Sequence, residues 1–177
     1  MIKKLALSSL MLACFSANAT VDYNIDLTKP EHHVGKVTMT LPAGSNSPSV
    51  MMPAWRTGKY KILDLANGVR HFKATDAQGN ELSFDHTDKA TWVINNPSKD
   101  EITVSYTVYA NDLGTRTRHI DDSHAYLDAT GIFMYDPARR QEDIRVTLDV
   151  PKSWKTYAGM TRAGDHQFVA DNYDILV

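Results

Sequence analysis

Three things are scarce in this sequence of 177 residues: cysteine, an excess of charge of one sign, and long hydrophobic runs. A single cysteine excludes an internal disulfide, and nine glycines with seven prolines exclude collagen-like and low-complexity chains. Lysine and arginine number 19 against 21 acidic residues, so the basic surface that nucleic acid requires is not expected. No segment is long and apolar enough to span a bilayer, and the length predicts one domain.

The first 19 residues have the features of a secretory signal peptide. Lys3 and Lys4 precede an uncharged apolar run, and Ala17-Asn18-Ala19 fits the small-residue pattern of a cleavage site. We therefore predict cleavage after Ala19 and an exported mature chain, periplasmic or secreted, with one domain over residues 20–177. A lipoprotein acylated at Cys14 is a second interpretation of the same segment.

Alternating apolar and polar residues predict β-strands throughout the mature chain. About ten short strands with turn residues between them, and little helix, predict an all-β fold, an antiparallel β-sandwich. Residues 76–80 and 95–100 each predict the loop of a hairpin, and residues 60–67 are compatible with a turn or two of helix. The predicted strands cover residues 21–27, 36–41, 50–52, 69–74, 82–86, 91–94, 102–109, 131–135, 144–150 and 167–170.

Motifs for catalysis are missing from the sequence. It contains no His-Glu-x-x-His pair of zinc ligands, no Gly-x-Ser-x-Gly nucleophile elbow and no glycine-rich phosphate loop. We therefore assign no catalytic, cofactor-binding or metal-ligating residue from the sequence.

The densest group of titratable residues is His119-Ile120-Asp121-Asp122-Ser123-His124. Two imidazoles and two carboxylates can bind a divalent metal. On an extended strand, however, the first His and first Asp would lie on one face, and the second Asp and second His on the other. Because the ligands are divided in this way, we expect these residues to form an ion-pair network with Arg116 and Arg118. The alternative is that the chain is a small metal-binding protein.

Several ordered motifs carry a family resemblance. In chain order, the motifs are Pro53-Ala54-Trp55-Arg56-Thr57-Gly58-Lys59-Tyr60-Lys61-Ile62, Asp88-Lys89 before Trp92, Tyr109-Ala110-Asn111-Asp112-Leu113, Arg116-Thr117, Asp121-Asp122-Ser123-His124-Ala125 and Tyr173-Asp174-Ile175-Leu176-Val177. Together they resemble the N-terminal domain of the glycyl aminopeptidase family, the zinc metallopeptidases of peptidase family M61, which often carry a PDZ domain. The matching motifs run from about residue 21 to residue 177.

The resemblance implies a β-sandwich that packs beside a peptidase catalytic domain, in cis or lost, which would hold the zinc. The His-Glu-x-x-His motif of the family lies in that following domain, so we expect this chain to be no peptidase on its own. Because the sequence ends on Ile175-Leu176-Val177 without a polar tail, we expect a fragment or truncated form of an exported zinc aminopeptidase. The alternative is a free-standing envelope module that binds peptide or glycan.

The family-like motifs also supply the candidate site residues. They fall mostly in predicted loops, where binding residues concentrate. Their alternative role is structural, to hold long loops against the sandwich, and Asp112 and Arg116 could form a pair. The residues expected to face a cleft or a partner are Trp55, Tyr60, Asn111, Asp112, Arg116, Asp121, Asp122 and His124.

Overall fold

The computed structural model describes residues 19–56, 58–114 and 117–177. The signal peptide prediction, Cys14 and Arg116 lie outside these residues. Within them the chain forms thirteen strands and one short α-helix. The elements are β1 (Thr20–Asp26), β2 (Val34–Leu41), β3 (Ser49–Met51), β4 (Val69–Asp76), β5 (Glu81–Leu82), β6 (Phe84–Asp88), β7 (Thr91–Ile94), β8 (Ile102–Tyr109), β9 (Arg118–Ile120), β10 (Ala125–Leu127), β11 (Asp143–Asp149), β12 (Thr161–Gly164), β13 (Gln167–Ala170) and α1 (Tyr173–Leu176).

The largest sheet has eight strands in the order β12-β13-β11-β1-β2-β8-β4-β5. The all-β prediction is confirmed, but the prediction of a purely antiparallel fold is wrong. Strands β1 and β11 run parallel, with Val21 opposite Ile144 and Ile25 opposite Leu148. More than a hundred residues separate these two strands, so their connection can return the chain in the same direction, which a tight hairpin cannot do.

The alternation that predicted the strands places one face of the large sheet in the core. In β8 the buried side chains are Ile102, Val104, Tyr106 and Val108, and the residues between them are half-buried. The neighbouring strand β2 buries Val37, Met39 and Leu41 on the same face. Burial of one apolar face in this way supplies most of the free energy that stabilises a sheet of this kind.

A three-stranded sheet, β3-β7-β6, contributes to the same hydrophobic core through Val50, Trp92 and Ile94. This pairing contradicts the predicted hairpin over residues 95–100. Strand β7 pairs with β3 and β6, whereas β8 pairs with β2 and β4. The loop therefore crosses between two sheets, and the Asn96 side chain closes it by donating to the carbonyls of Ser45 and Asp100.

The other predicted hairpin is confirmed. Strands β4 and β5 pair on either side of residues 77–80. The Asp76 carboxylate accepts hydrogen bonds from the backbone amides of Gln78 and Asn80, the local geometry that favours Asp in tight turns.

The strand predicted over residues 131–135 is wrong. A 3-10 turn covers Ala129–Gly131, and only Tyr135 makes a bridge, to Met51. The segment in between is nevertheless fully buried. Three tyrosine hydroxyls take the place of a partner strand by donating to consecutive carbonyls, at 2.7–2.8 Å: Tyr106 to Ile132, Tyr173 to Phe133 and Tyr23 to Met134.

Helical structure is minor, as expected. A 3-10 turn at Leu65–Gly68 occupies the end of the segment where a helical turn was predicted. The helix α1 begins after Asn172, whose side chain accepts a hydrogen bond from the amide of Ile175. In the described part of the chain, no helix has the length and apolar character needed to cross a membrane.

Candidate functional site

A cleft of about 570 Å³ lies between two of the family-like motifs. One wall is formed by residues 59–68, which follow Trp55, and the other by the loop after β8 together with the start of β9. Predicted site residues Asn111 and Asp112 line this cleft directly. Side chains on the first wall include Lys59, Lys61 and Asp64, so the cleft carries charges of both signs.

Residues 54–56 and 58–63 belong to a closed loop, which we call the motif loop. The amide of Leu63 donates to the carbonyl of Ala54 at 2.7 Å, and the Trp55 indole donates to the carbonyl of Lys59 at 2.5 Å. Gly58 has a positive φ of 82°, a conformation that glycine adopts without strain. The loop therefore presents Tyr60 and Ile62 outward, and the Tyr60 side chain is fully exposed.

Two arginines hold the floor of the cleft. Arg56 forms an ion pair with Asp128, and both side chains are largely buried. Arg118 donates through Nε to the carbonyl of Tyr109 at 2.9 Å and through Nη1 to the carbonyl of Gly131 at 2.6 Å. Burial lowers the pKa of the Arg118 guanidinium from its usual value. These contacts join the motif loop, β8, β9 and the 3-10 turn at Ala129–Gly131.

The sequence did not single out the two arginines as parts of a site. Arg118 was expected in an ion-pair network with the Asp residues of the next turn, and this expectation is wrong. Among the described residues its hydrogen bonds go to backbone carbonyls instead, because β9 directs its side chain into the cleft. The one available signal for Arg56 was its place inside the aromatic motif.

The predicted site residues form two separate groups. Trp55 and Tyr60 belong to the motif loop beside the cleft, and Asn111 and Asp112 line it. Asn111 donates to the Tyr109 hydroxyl at 3.3 Å, and Asp112 accepts from the amide of Gly114 at 3.0 Å. Arg116 lies outside the described residues. Asp121, Asp122 and His124 lie at the turn between β9 and β10, and His124 borders a different cavity.

The turn between β9 and β10 differs from the extended geometry expected for it. The chain reverses at Asp121, so that His119 and His124 both approach the same carboxylate. His119 Nε2 lies 2.9 Å from Oδ2 of Asp121, and His124 Nδ1 lies 3.3 Å from Oδ1. The predicted division of these groups between two faces is therefore wrong, because strand alternation does not extend through a turn.

Hydrogen bonds fix the Asp121 carboxylate in the turn. Oδ1 accepts from the hydroxyl and amide of Ser123, at 2.7 and 2.8 Å, and from the amide of His124 at 2.9 Å. The Ser123 hydroxyl and the His119 ring hold the pKa of Asp121 well below its usual range, with a further contribution from the His124 amide. The carboxylate is therefore ionised at neutral pH.

Comparison with known proteins confirms the family resemblance that these motifs carry. The family described as Peptidase M61 N-terminal domain matches residues 22–177. The chain belongs to this family. Comparison with curated proteins gives no significant match.

A solved structure similar to this M61-type domain is the aminopeptidase N family protein from Idiomarina loihiensis. The two share 26% identity with a TM-score of 0.82, over 88% of this chain and 28% of that protein. An M1 zinc metallopeptidase from Deinococcus radiodurans matches 88% of this chain and 38% of its own length, at 13% identity and a TM-score of 0.38. The chain thus spans about a quarter to two fifths of the proteins it matches.

This chain matches only the N-terminal domain of the peptidase family. Its sequence contains no His-Glu-x-x-His motif, and the single α-helix in the described residues, Tyr173–Leu176, carries no histidine. The residues present therefore do not fit a helix-borne catalytic zinc, and no catalytic step is assigned to them.

Proposed function

We propose that this chain is the non-catalytic N-terminal accessory domain of an exported zinc aminopeptidase and packs beside its catalytic domain. The observation that carries the proposal is the position of exposed apolar side chains. Of the nine large hydrophobic side chains exposed in the described residues, five lie beside the cleft, in the motif loop or at the end of β8 and the loop that follows it. They are Trp55, Tyr60, Ile62, Tyr109 and Leu113.

An exposed cluster of this kind favours an interface over a purely structural role. Large apolar side chains beside a mixed polar cleft are typical of protein–protein contacts, in which aromatic residues contribute most. Lys59, Lys61 and Asp112 supply charged groups around the apolar side chains. A catalytic domain of the same enzyme is the partner that the family membership supports.

Genomic sequence downstream of the Val177 codon provides the first test. We expect a reading frame that encodes His-Glu-x-x-His within the next few hundred residues. That segment, expressed separately, should bind the purified chain in calorimetry. Absence of any such sequence would contradict the accessory role and would favour the free-standing peptide- or glycan-binding module.

The docking face itself can be tested by substitution. Tyr60→Ser combined with Ile62→Ser should weaken binding of the catalytic segment at least about tenfold, since buried aromatic anchors dominate interface energies. The control is Tyr157→Ser, which changes another highly exposed tyrosine, outside the cleft. A loss of binding in the control but not in the double variant would show that another face docks.

Catalytic inactivity of the chain alone is part of the same proposal. With zinc and glycyl or alanyl peptides, the purified chain should release no N-terminal residue. Zinc-dependent release, abolished by a chelator, would overturn this part of the proposal.

Export is proposed on the basis of the signal peptide pattern. It is supported by the start of β1 at Thr20, because cleavage after Ala19 would leave the strand intact. Mass spectrometry of the protein from its native host should find an N-terminus at Thr20. A lipid-modified Cys14 would instead identify a lipoprotein, and an intact Met1 would contradict export.

A further inference from the structure

We propose that His119, Asp121 and His124 form a binding site for one divalent zinc ion in the β9–β10 hairpin. Each residue offers one ligand atom, and the three atoms all lie within 4.8 Å of one another. Imidazole nitrogen and carboxylate oxygen are the ligands that zinc accepts alongside thiolate. The proposal rests on these residues of the chain and not on the zinc of related enzymes.

The spacing of the donor atoms suits a tetrahedral metal. Donors bound about 2.0–2.1 Å from a tetrahedral zinc lie roughly 3.3 Å from each other. Asp121 reaches the two rings through different oxygens, since Oδ2 lies 2.9 Å from His119 Nε2 and Oδ1 lies 3.3 Å from His124 Nδ1, which also contacts the Ser123 hydroxyl at 2.9 Å. The His124 side chain is 55% exposed, so its ring has room to turn until one nitrogen and Oδ2 of Asp121 face the same ion as His119.

Two of the three ligands are already held in position. His119 is buried, with 6% of its side chain exposed, and Nε2 is the ring nitrogen that faces a polar partner. Its Nδ1 is also buried and has no hydrogen-bond partner among the described residues. Asp121 is fixed by the bonds from Ser123 and His124, which engage Oδ1 and leave Oδ2 toward His119. This preorganisation lowers the entropy that metal binding must overcome.

The third ligand keeps the site accessible. His124 lies on the exposed side of the turn and borders a cavity that opens to solvent, so the fourth zinc position can be taken by water. A bound ion would connect β9 with the residues that begin β10. Since Arg118 belongs to β9, the ion would also restrict one wall of the cleft.

Cobalt and zinc titrations of the full, untagged chain test the site. After chelator treatment, we expect one equivalent of Co²⁺ to give visible absorption of tetrahedral intensity, and Zn²⁺ to displace it. Zinc should also raise Tm, because it binds the folded hairpin and not the unfolded chain. Absence of a saturable one-to-one signal would overturn the proposal.

Matched variants localise the binding. His124→Gln changes an exposed ligand and leaves the His119–Asp121 pair intact, so the protein should fold. We expect at least tenfold weaker zinc binding, since losing even an outer partner of a zinc ligand costs about 10–100-fold. The control His32→Gln removes another exposed histidine that faces a carboxylate, Glu31 at 3.6 Å. Equal affinity in His124→Gln and wild type, or equal loss in both variants, would overturn the assignment.

Discussion

Two segments of this domain lie outside the main sheets and yet differ in almost every other respect. Residues 132–134, the tethered segment, are buried, and each of their carbonyls accepts a tyrosine hydroxyl. The motif loop is closed by its own backbone and exposes Trp55, Tyr60 and Ile62. Irregular backbone can therefore serve stability or recognition, depending on where its polar groups and apolar side chains point.

The tethered segment illustrates how a buried segment can lack a partner strand. A backbone carbonyl removed from water without a hydrogen bond costs about 1–3 kcal/mol, so burial requires a donor for each. Burial in turn raises the pKa of the Tyr106 and Tyr173 hydroxyls, which therefore remain protonated donors at physiological pH. The motif loop has no such requirement, because water reaches it.

We expect the largest loss of stability from Tyr106→Phe, which removes one anchor of the tethered segment. The Tyr106 hydroxyl donates to the Ile132 carbonyl and accepts from the Met134 amide, at 2.8 and 2.9 Å. Removing it leaves two buried groups without partners, so we expect a loss of about 2–4 kcal/mol in the free energy of unfolding. Urea denaturation measures this, and Tyr109→Phe, an exposed tyrosine on the same strand, is the control. A similar small effect in both variants would contradict the tethering role.

The floor of the cleft should behave like the tethered segment. A Cβ added at Gly68 would lie 1.7 Å from Nη2 of Arg118, which two carbonyls hold in place. Gly68→Ala should therefore cost about 1–3 kcal/mol through overpacking. Gly159→Ala, where an added Cβ meets no atom within 4 Å, should stay within about 0.5 kcal/mol in the same denaturation assay. Equal stability of the two variants would show that Arg118 moves freely.

Asp136 gives a smaller effect that depends on pH. Burial raises its pKa from the usual value, although the Ala138 amide and Arg139 act in the opposite direction. A carboxyl whose pKa is higher in the folded state than in the unfolded state favours folding at low pH. Its contribution is lost as pH rises from the unfolded pKa, about 3.9, through the folded pKa.

Asp136→Asn should remove this pH dependence. The stability of the variant relative to wild type should therefore increase as pH is raised from about 4 through the titration of Asp136. Thermal unfolding across this range measures the difference, with the exposed Asp85→Asn as the control. A relative stability of Asp136→Asn that decreases over the same range would contradict the direction of the pKa shift.

The smallest effect on stability is expected in the motif loop. Tyr60→Ser combined with Ile62→Ser removes apolar surface that is already in water, so unfolding should change by no more than about 0.5 kcal/mol. Urea denaturation of the double variant and of Tyr106→Phe under the same conditions compares the two segments by their effect on the free energy of unfolding. A loss above about 2 kcal/mol would mean that the motif loop is a structural part of the fold.

Strand alternation predicted the regular half of this molecule well. In β1, β2, β8 and β11 the alternating apolar positions face the core, because a side-chain period of two fixes which residues share a face. The exceptions, Val34 and Tyr109, lie at strand ends and out of phase with the buried residues. The same rule failed for residues 131–135. This apolar run is buried, but its carbonyls accept hydrogen bonds from tyrosine hydroxyls and not from a neighbouring strand. It also failed at the turn after His119, where reversal of the chain brings His124 to Asp121.

Strand periodicity, the hairpin at Asp76 and the motifs that relate the chain to a peptidase N-terminal domain follow from the sequence alone. Each depends on a pattern of residues close together along the chain. Tertiary structure alone decided the parallel pairing of β1 with β11, the burial of Arg118 beneath the cleft and the meeting of two histidines on one carboxylate. These contacts join segments by packing or by a turn, and local patterns carry no information about which distant surfaces will meet.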